Sequence, residues 1–239
     1  MNTGPVIEIT ALSKDYHGLR PLRIEKLTLE AGDLVAIVGL DQPMAETFVN
    51  LVTGATLPDR GEVILFGRPT AAINDSTEWL SVVDRFGIVS ERAVLLDALS
   101  VIQNLAIPFT LDIDPLPGDV RQRAIQLARE VGLPETDWLR SVSELDAGGR
   151  TRIRLARALA LDPGALLLEH ANAGLSADAA GVLGADIRRI ASNRGCALVA
   201  LTAAPEFAAA VAPRVLTLDA ASGRLSERRR NWSLFRRGG

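Results

Sequence analysis

Val35-Ala36-Ile37-Val38-Gly39-Leu40-Asp41-Gln42-Pro43-Met44-Ala45-Glu46-Thr47 carries an apolar run into a glycine. A helix-like apolar pattern then begins eight residues later, with Thr47, Phe48, Leu51 and Val52. That is the strand–loop–helix frame of a phosphate-binding loop. A working loop of this kind reads G-x-x-x-x-G-K-[ST], with glycines for close backbone approach, Lys on the outer phosphates and a hydroxyl on Mg²⁺. Here Met44 stands at the second glycine, Ala45 at the lysine and Glu46 at the hydroxyl. Ala45 supplies no cation, and Asp41 and Glu46 put carboxylates where a polyanion would lie. Pro43 lacks an N–H to point at phosphate, and Met44 carries a Cβ where φ > 0 would be needed. Any tight strand-to-helix turn of an α/β protein would read much like this segment by itself, so the rest of the chain has to decide.

The chain has 239 residues, 48% apolar and only 4% aromatic, so a core of Ala, Leu and Val is expected in one large domain. The single Cys196 excludes an internal disulfide and fits a reducing compartment. No signal-like pattern opens the chain and no uninterrupted apolar stretch has membrane-spanning length, so the expectation is a cytoplasmic protein. The net charge is −3, yet Arg224 to Gly239 holds six Arg and one Glu, leaving −8 for the remainder. That tail, with Trp232, Leu234 and Phe235 among its arginines, suits an anionic membrane surface or an acidic partner; a solvated terminus is the plainer reading. No basic face with interleaved aromatics is present, so nucleic acid is not expected. His17 and His170 have no metal-ligand spacing, and no metal is expected.

Strand-like segments are expected at Val6–Thr10, Leu27–Leu29, Leu34–Val38, Gly61–Gly67, Phe86–Val89, Ala165–Leu168, Cys196–Leu201 and Val215–Leu218. Helical patterns fall at Val120–Val131, from Gly149 to about Leu161, and at Ala177–Ser192. Between Leu95 and Leu145 the texture is helical, interrupted by the loop Asp112–Gly118. Strands alternating with helices around a helical insert imply an α/β fold. Arg150, Arg152, Arg154 and Arg157 sit at helical spacing; a solvated helix face is the default, ion pairing at a subunit interface the sharper option.

The ordered set resembles the ATP-binding subunit of an ABC transporter, over about Val6 to Leu225. Arg152-Ile153-Arg154-Leu155-Ala156-Arg157-Ala158-Leu159-Ala160-Leu161-Asp162-Pro163 and Ala165–Leu168 are similar to the helix after the family signature and its following strand. Gly174-Leu175-Ser176 lies at the D-loop, and Leu12-Ser13-Lys14-Asp15-Tyr16 resembles the opening segment whose aromatic stacks on adenine. Ser100–Leu105 resembles the start of the helical subdomain that faces a transmembrane partner. The resemblance implies a P-loop NTPase-like ABC fold, a mixed sheet core with an antiparallel β-subdomain and an inserted helical subdomain. It implies one nucleotide-binding domain over 1–239: core 1–91 and 150–225, helical subdomain about 92–149, basic tail 226–239. It also implies ATP and Mg²⁺ as cofactors, and as partners a transmembrane subunit and a second ABC ATPase chain, identical or not. The implied location is the inner face of the membrane, reached through the partner.

The departures from that family are as informative. The signature L-S-G-G-Q becomes Leu145-Asp146-Ala147-Gly148-Gly149, with a carboxylate for the phosphate-facing serine. The Walker B Asp-Glu pair becomes Glu169-His170, the Q-loop glutamine becomes Glu91 and the switch histidine becomes Ala203. The degenerate ATP site would comprise Tyr16, Gly39, Asp41, Gln42, Pro43, Met44, Ala45, Glu46 and Thr47. Phosphoryl transfer depends on positioning and charge neutralisation. With these parts replaced together, and only Lys14 and Lys26 in the chain to offer lysine, a pseudo-ATPase is expected, with no functional catalytic residue and ATP and Mg²⁺ retained only if the altered site still binds. Two other readings stay open: an active ATPase subunit, and a binding module whose less polar loop takes a non-nucleotide ligand near Tyr16.

Overall fold

The computed structural model describes residues 4–227, so the arginine-rich run 228–239 lies outside the described residues. Two sheets organise the chain. A six-stranded sheet has the order β10-β9-β3-β8-β7-β6. Its strands are β3 (Leu34–Val38), β6 (Phe86–Val89), β7 (Ala165–Glu169), β8 (Ala197–Thr202), β9 (Arg214–Asp219) and β10 (Arg224–Glu227). All neighbours run parallel except β10, which returns antiparallel along β9. The second sheet is antiparallel, β2-β1-β4-β5, from β1 (Ile7–Lys14), β2 (Leu22–Leu29), β4 (Arg60–Leu65) and β5 (Arg68–Pro69). The mixed α/β core with an antiparallel β-subdomain is the fold class the sequence implied.

Alternation in the central strands explains how the layers form. Leu34, Ala36, Val38, Leu166, Leu168, Leu198 and Ala200 face one apolar cluster, and Val35, Ile37, Ala165, Leu167, Val199 and Leu201 face the other. The first cluster takes α3 (Val101–Ala106), α4 (Gly118–Glu130), α5 (Ala147–Leu159), α6 (Ala177–Arg194) and α7 (Pro205–Val211). The second is closed by α1 (Gln42–Val52) and the antiparallel sheet. Strands buried on both faces read as continuous apolar runs, which is why β3, β7 and β8 are visible in sequence.

Other elements were less visible. β2 begins at Leu22, not Leu27: it pairs with β1 in one unbroken register, but the consecutive exposed residues Glu25 and Lys26 interrupt the alternation between Ile24 and Leu27. The helix α2 (Ser76–Val83) was not anticipated; the Asp75 side chain caps it by accepting from Glu78 N at 2.9 Å. In the helical block, Ser100 and Gln103 make a reciprocal capping box at the start of α3.

Candidate functional site

The loops that carry the sequence-predicted residues leave the C-terminal ends of four adjacent parallel strands, the usual ligand edge of an open α/β sheet. Gly39 follows β3, Ser90 follows β6, His170 follows β7 and Ala203 follows β8. Gly39 has φ +99°, and a Cβ there would lie 2.9 Å from Leu218 O, so glycine is required.

The largest correction concerns the loop itself. Helix α1 starts at Gln42, five residues before the apolar periodicity at Thr47 suggested. The start signal is Asp41 as N-cap, with proline in the first turn. The Asp41 side chain accepts from Met44 N at 2.9 Å, and its carbonyl accepts from Ala45 N at 2.9 Å. Pro43 has no N–H to offer. Two of the four amide positions that a helix N-terminus could turn toward an anion, Pro43 and Met44, are therefore closed within the chain, and the Ala45 amide makes the first bond of the helix itself. The expected clash of the Met44 Cβ with a positive φ does not arise, because Met44 lies in α1 and the positive φ falls on Gly39. Met44 and Ala45 are 7% and 0% exposed, pointing into the core. They therefore line no open pocket beside Tyr16, contrary to the premise of the ligand-module reading.

The same device recurs at the degenerate signature. Helix α5 starts at Ala147, inside Leu145–Gly149 and earlier than Gly149, with Asp146 as N-cap. The Asp146 carboxylate, expected to face phosphate, is turned onto its own helix and accepts from Gly149 N at 2.7 Å.

The carboxylates at the α1 edge are not left to repel one another. Glu169, fully buried at its side chain, accepts from Arg92 Nη2 at 2.5 Å and Nε at 3.2 Å, and from Gln42 Nε2 at 2.6 Å. The other arm of Arg92 reaches Glu46 Oε1 at 3.2 Å. Arg92 thus brings a cation to the group of carboxylates that the absence of lysine had suggested would lack one. No local motif marks it; an arginine directly after Glu91 was the sole sequence signal.

The remaining predicted residues are dispersed around this cluster. His170 adopts φ 47°, and its Nε2 is buried without a hydrogen-bond partner among the described residues. It borders a cavity of about 10 Å³ with Ser90, Glu91, Thr151 and Arg154. Glu91 is exposed, and its charge acts on Arg154. Ala203 is exposed; the neighbouring Thr202 hydroxyl donates to Asn172 Oδ1 at 2.7 Å. Tyr16 is half-buried; burial, and secondarily the Asp41 charge, push its phenol upward. Leu145 is buried, Gly148 packs near Leu175, and Thr47 donates to Pro43 O at 2.8 Å.

The arginine run on α5 is not a solvated face. Arg150 pairs with Asp97 at 3.2 Å and Arg152 with Asp186 at 2.7 Å. Arg154 donates to Ala93 O at 3.2 Å and Arg157 to Val94 O at 2.8 Å. Desolvation lowers the pKa of both Arg154 and Arg157. Beside them opens a groove of about 340 Å³, lined by Phe86, Ile88, Ala93, Ile107, Arg154 and Arg157.

ATP with Mg²⁺ does not fit these residues as they stand. The Met44 amide serves the Asp41 side chain, Pro43 has no N–H, Ala45 supplies no cation, and the carboxylates Glu46 and Glu169 that would face a divalent cation hold Arg92.

The ABC transporter family model matches residues 22–173. The chain is 30% identical to the methionine import ATP-binding protein MetN of Leifsonia xyli subsp. xyli, over 92% of this chain and 64% of that protein. It is 32% identical to the lipoprotein-releasing system ATP-binding protein LolD of Chromohalobacter salexigens, over 84% of this chain and 83% of that one. The sulfate/thiosulfate import ATP-binding protein CysA of Bordetella parapertussis is 32% identical over 92% and 61%. The chain thus spans about three-fifths of the import relatives' length. Two solved structures share the fold. One is the dimeric post-hydrolysis ATP-binding cassette MJ0796 bound to ADP and Pi, with a TM-score of 0.73, 20% identity and coverage of 93% and 97%. The other is cbiO1 from Clostridium perfringens, part of the ABC transporter complex cbiONQ, with a TM-score of 0.77, 19% identity and coverage of 93% and 87%. The chain belongs to the ABC transporter family, in its ATP-binding domain. Among the described residues no helix is long and apolar enough to cross a membrane.

Proposed function

We propose that this chain is a pseudo-ATPase of the ABC transporter family, a structural or regulatory partner in a membrane transport complex. The observation that carries the reading is the first turn of α1, where the Asp41 side chain takes the Met44 amide, Pro43 has none to offer, and Ala45, at the lysine position, is buried. Self-capping of α5 by Asp146 extends it to the second phosphate-facing helix. Ala203 removes the switch histidine, and Glu91 and His170 stand where the glutamine and glutamate that orient an attacking water would be.

The partner is a transmembrane subunit, met by the helical block of about residues 92–149, and a second ABC chain completes the assembly. The apolar groove between that block and the sheet supports this docking, since Phe86, Ile88 and Ile107 offer apolar contact and Arg154 and Arg157 rim it. Transport then draws its energy from another chain.

Calorimetry with ATP and Mg²⁺ tests the reading. The expected result is no saturable heat at high micromolar protein. Saturable, Mg²⁺-dependent binding or turnover by the purified chain overturns it in favour of an active subunit. An Ala45→Lys, Glu46→Ser double variant should stay silent too, because Asp41 still closes α1. Binding by that variant alone would place the loss on two side chains instead of on the capped turn.

A further inference from the structure

We infer that Arg92 is an internal latch. By bridging Glu169 and Glu46 it fixes the segment after β6, and with it one wall of the apolar groove, in a single arrangement that needs no nucleotide. The inference rests on the proposed reading of the site as one without ATP.

Four arginines hold this short segment from two sides. On the sheet edge, Arg92 makes a double contact to the buried Glu169, and Gln42 saturates the carboxylate's other oxygen. On the α5 side, the next two carbonyls, Ala93 O and Val94 O, receive Arg154 and Arg157, and Asp97 receives Arg150. The buried Asn104 completes the hold, accepting from Leu96 N at 2.9 Å and donating to Leu96 O at 3.0 Å. Ala93, Arg154 and Arg157 also line the groove. The segment is therefore the material link between the altered site and the groove, and Arg92 is its one side-chain tie to Glu46 and Glu169.

The choice of arginine follows from geometry. The planar fork contacts Glu169 through two of its nitrogens and Glu46 through the third, a fixed geometry that the compact point charge of an ammonium does not reproduce. Glu169 has a side chain at 0% exposure, and a buried carboxylate is stabilised by the paired cation and hydrogen bonds that Arg92 and Gln42 supply. Arg92 is a positioning residue in this scheme: it acts through the backbone it carries.

Hydrogen exchange without nucleotide, read by mass spectrometry, tests the latch in the natural chain, Arg92→Ala and Arg92→Lys. Amides of Arg92 to Leu99 should exchange about tenfold faster in Arg92→Ala while β3, β7 and β8 keep their protection. Arg92→Lys should fall between, since it retains the charge but loses the two-nitrogen contact to Glu169. Unchanged protection in the segment overturns the inference, and so does acceleration spread equally over the sheet, which would make Arg92 a general stabiliser. If Arg92→Ala does not fold, Arg92→Lys must still show the local acceleration, and its absence overturns the latch. The two proposals fail separately: saturable ATP binding by the natural chain removes the pseudo-ATPase reading, whereas the exchange pattern decides the latch.

Discussion

β3 and the turn that follows it are consecutive in the chain yet answer to different physics. Val35 to Ile37 are at most 1% exposed and pair in register with both β8 and β9. Beyond Gly39, α1 starts at Gln42 with Asp41 as its cap, and α5 starts in the same way with Asp146. A strand interior is held by many small dispersion and burial contributions, none individually decisive. A phosphate site depends on a few amides and one or two cations, each of them decisive. A fold held in that way tolerates substitutions that a phosphate site would not.

Changes in the two regions should differ in size, and the most severe belongs to the core. Phe48, on α1, is fully buried in the apolar cluster between the two sheets. Phe48→Ala should cost about 3–5 kcal/mol in urea unfolding. A loss no larger than that of the loop variants below would break the comparison.

Glu169→Gln comes next. It leaves Arg92, 40% exposed, without its buried counter-charge. The expected cost is about 1–3 kcal/mol, discounted from a fully buried pair by that exposure. A cost under about 0.5 kcal/mol, as for a surface pair, would make the bridge incidental.

The two caps should be smaller and equal. Asp41→Ala and Asp146→Ala each remove one carboxylate-to-amide bond and should each lower stability by about 1 kcal/mol. Neither should gain nucleotide binding by calorimetry, because Ala45 stays buried and Arg92 stays in place. Binding gained by Asp41→Ala would show that the cap alone had closed the site.

The gentlest probe is Tyr16, the one tyrosine in the chain. Its absorbance at high pH should report a phenol titrating above 10.0, and Asp41→Asn should bring it partway back, since burial is the larger cause. The raised folded value favours the neutral phenol. Its stabilising contribution is therefore complete below 10.0 and is lost as pH rises through the folded value. A normal titration in the natural chain would separate Tyr16 from the Asp41 edge.

By itself the sequence determined the frame: buried apolar strands, a glycine forced after β3, helical periodicity in α4, α5 and α6, and the loss of lysine, hydroxyl and switch histidine. These are local signals, because burial on both faces and side-chain period write themselves into neighbouring residues. Only the tertiary structure decided where the charges went. Arg92 meets Glu169 across 77 positions and Glu46 across 46, and no periodicity announces contacts at such separations. The arginines of α5 looked solvated because helical spacing cannot show that the carbonyls of Ala93 and Val94 lie against them. Likewise Asp41 and Asp146 are carboxylates facing phosphate in the sequence and helix caps in the fold. The difference is the first turn of a helix, whose unpaired amides find the nearest acceptor.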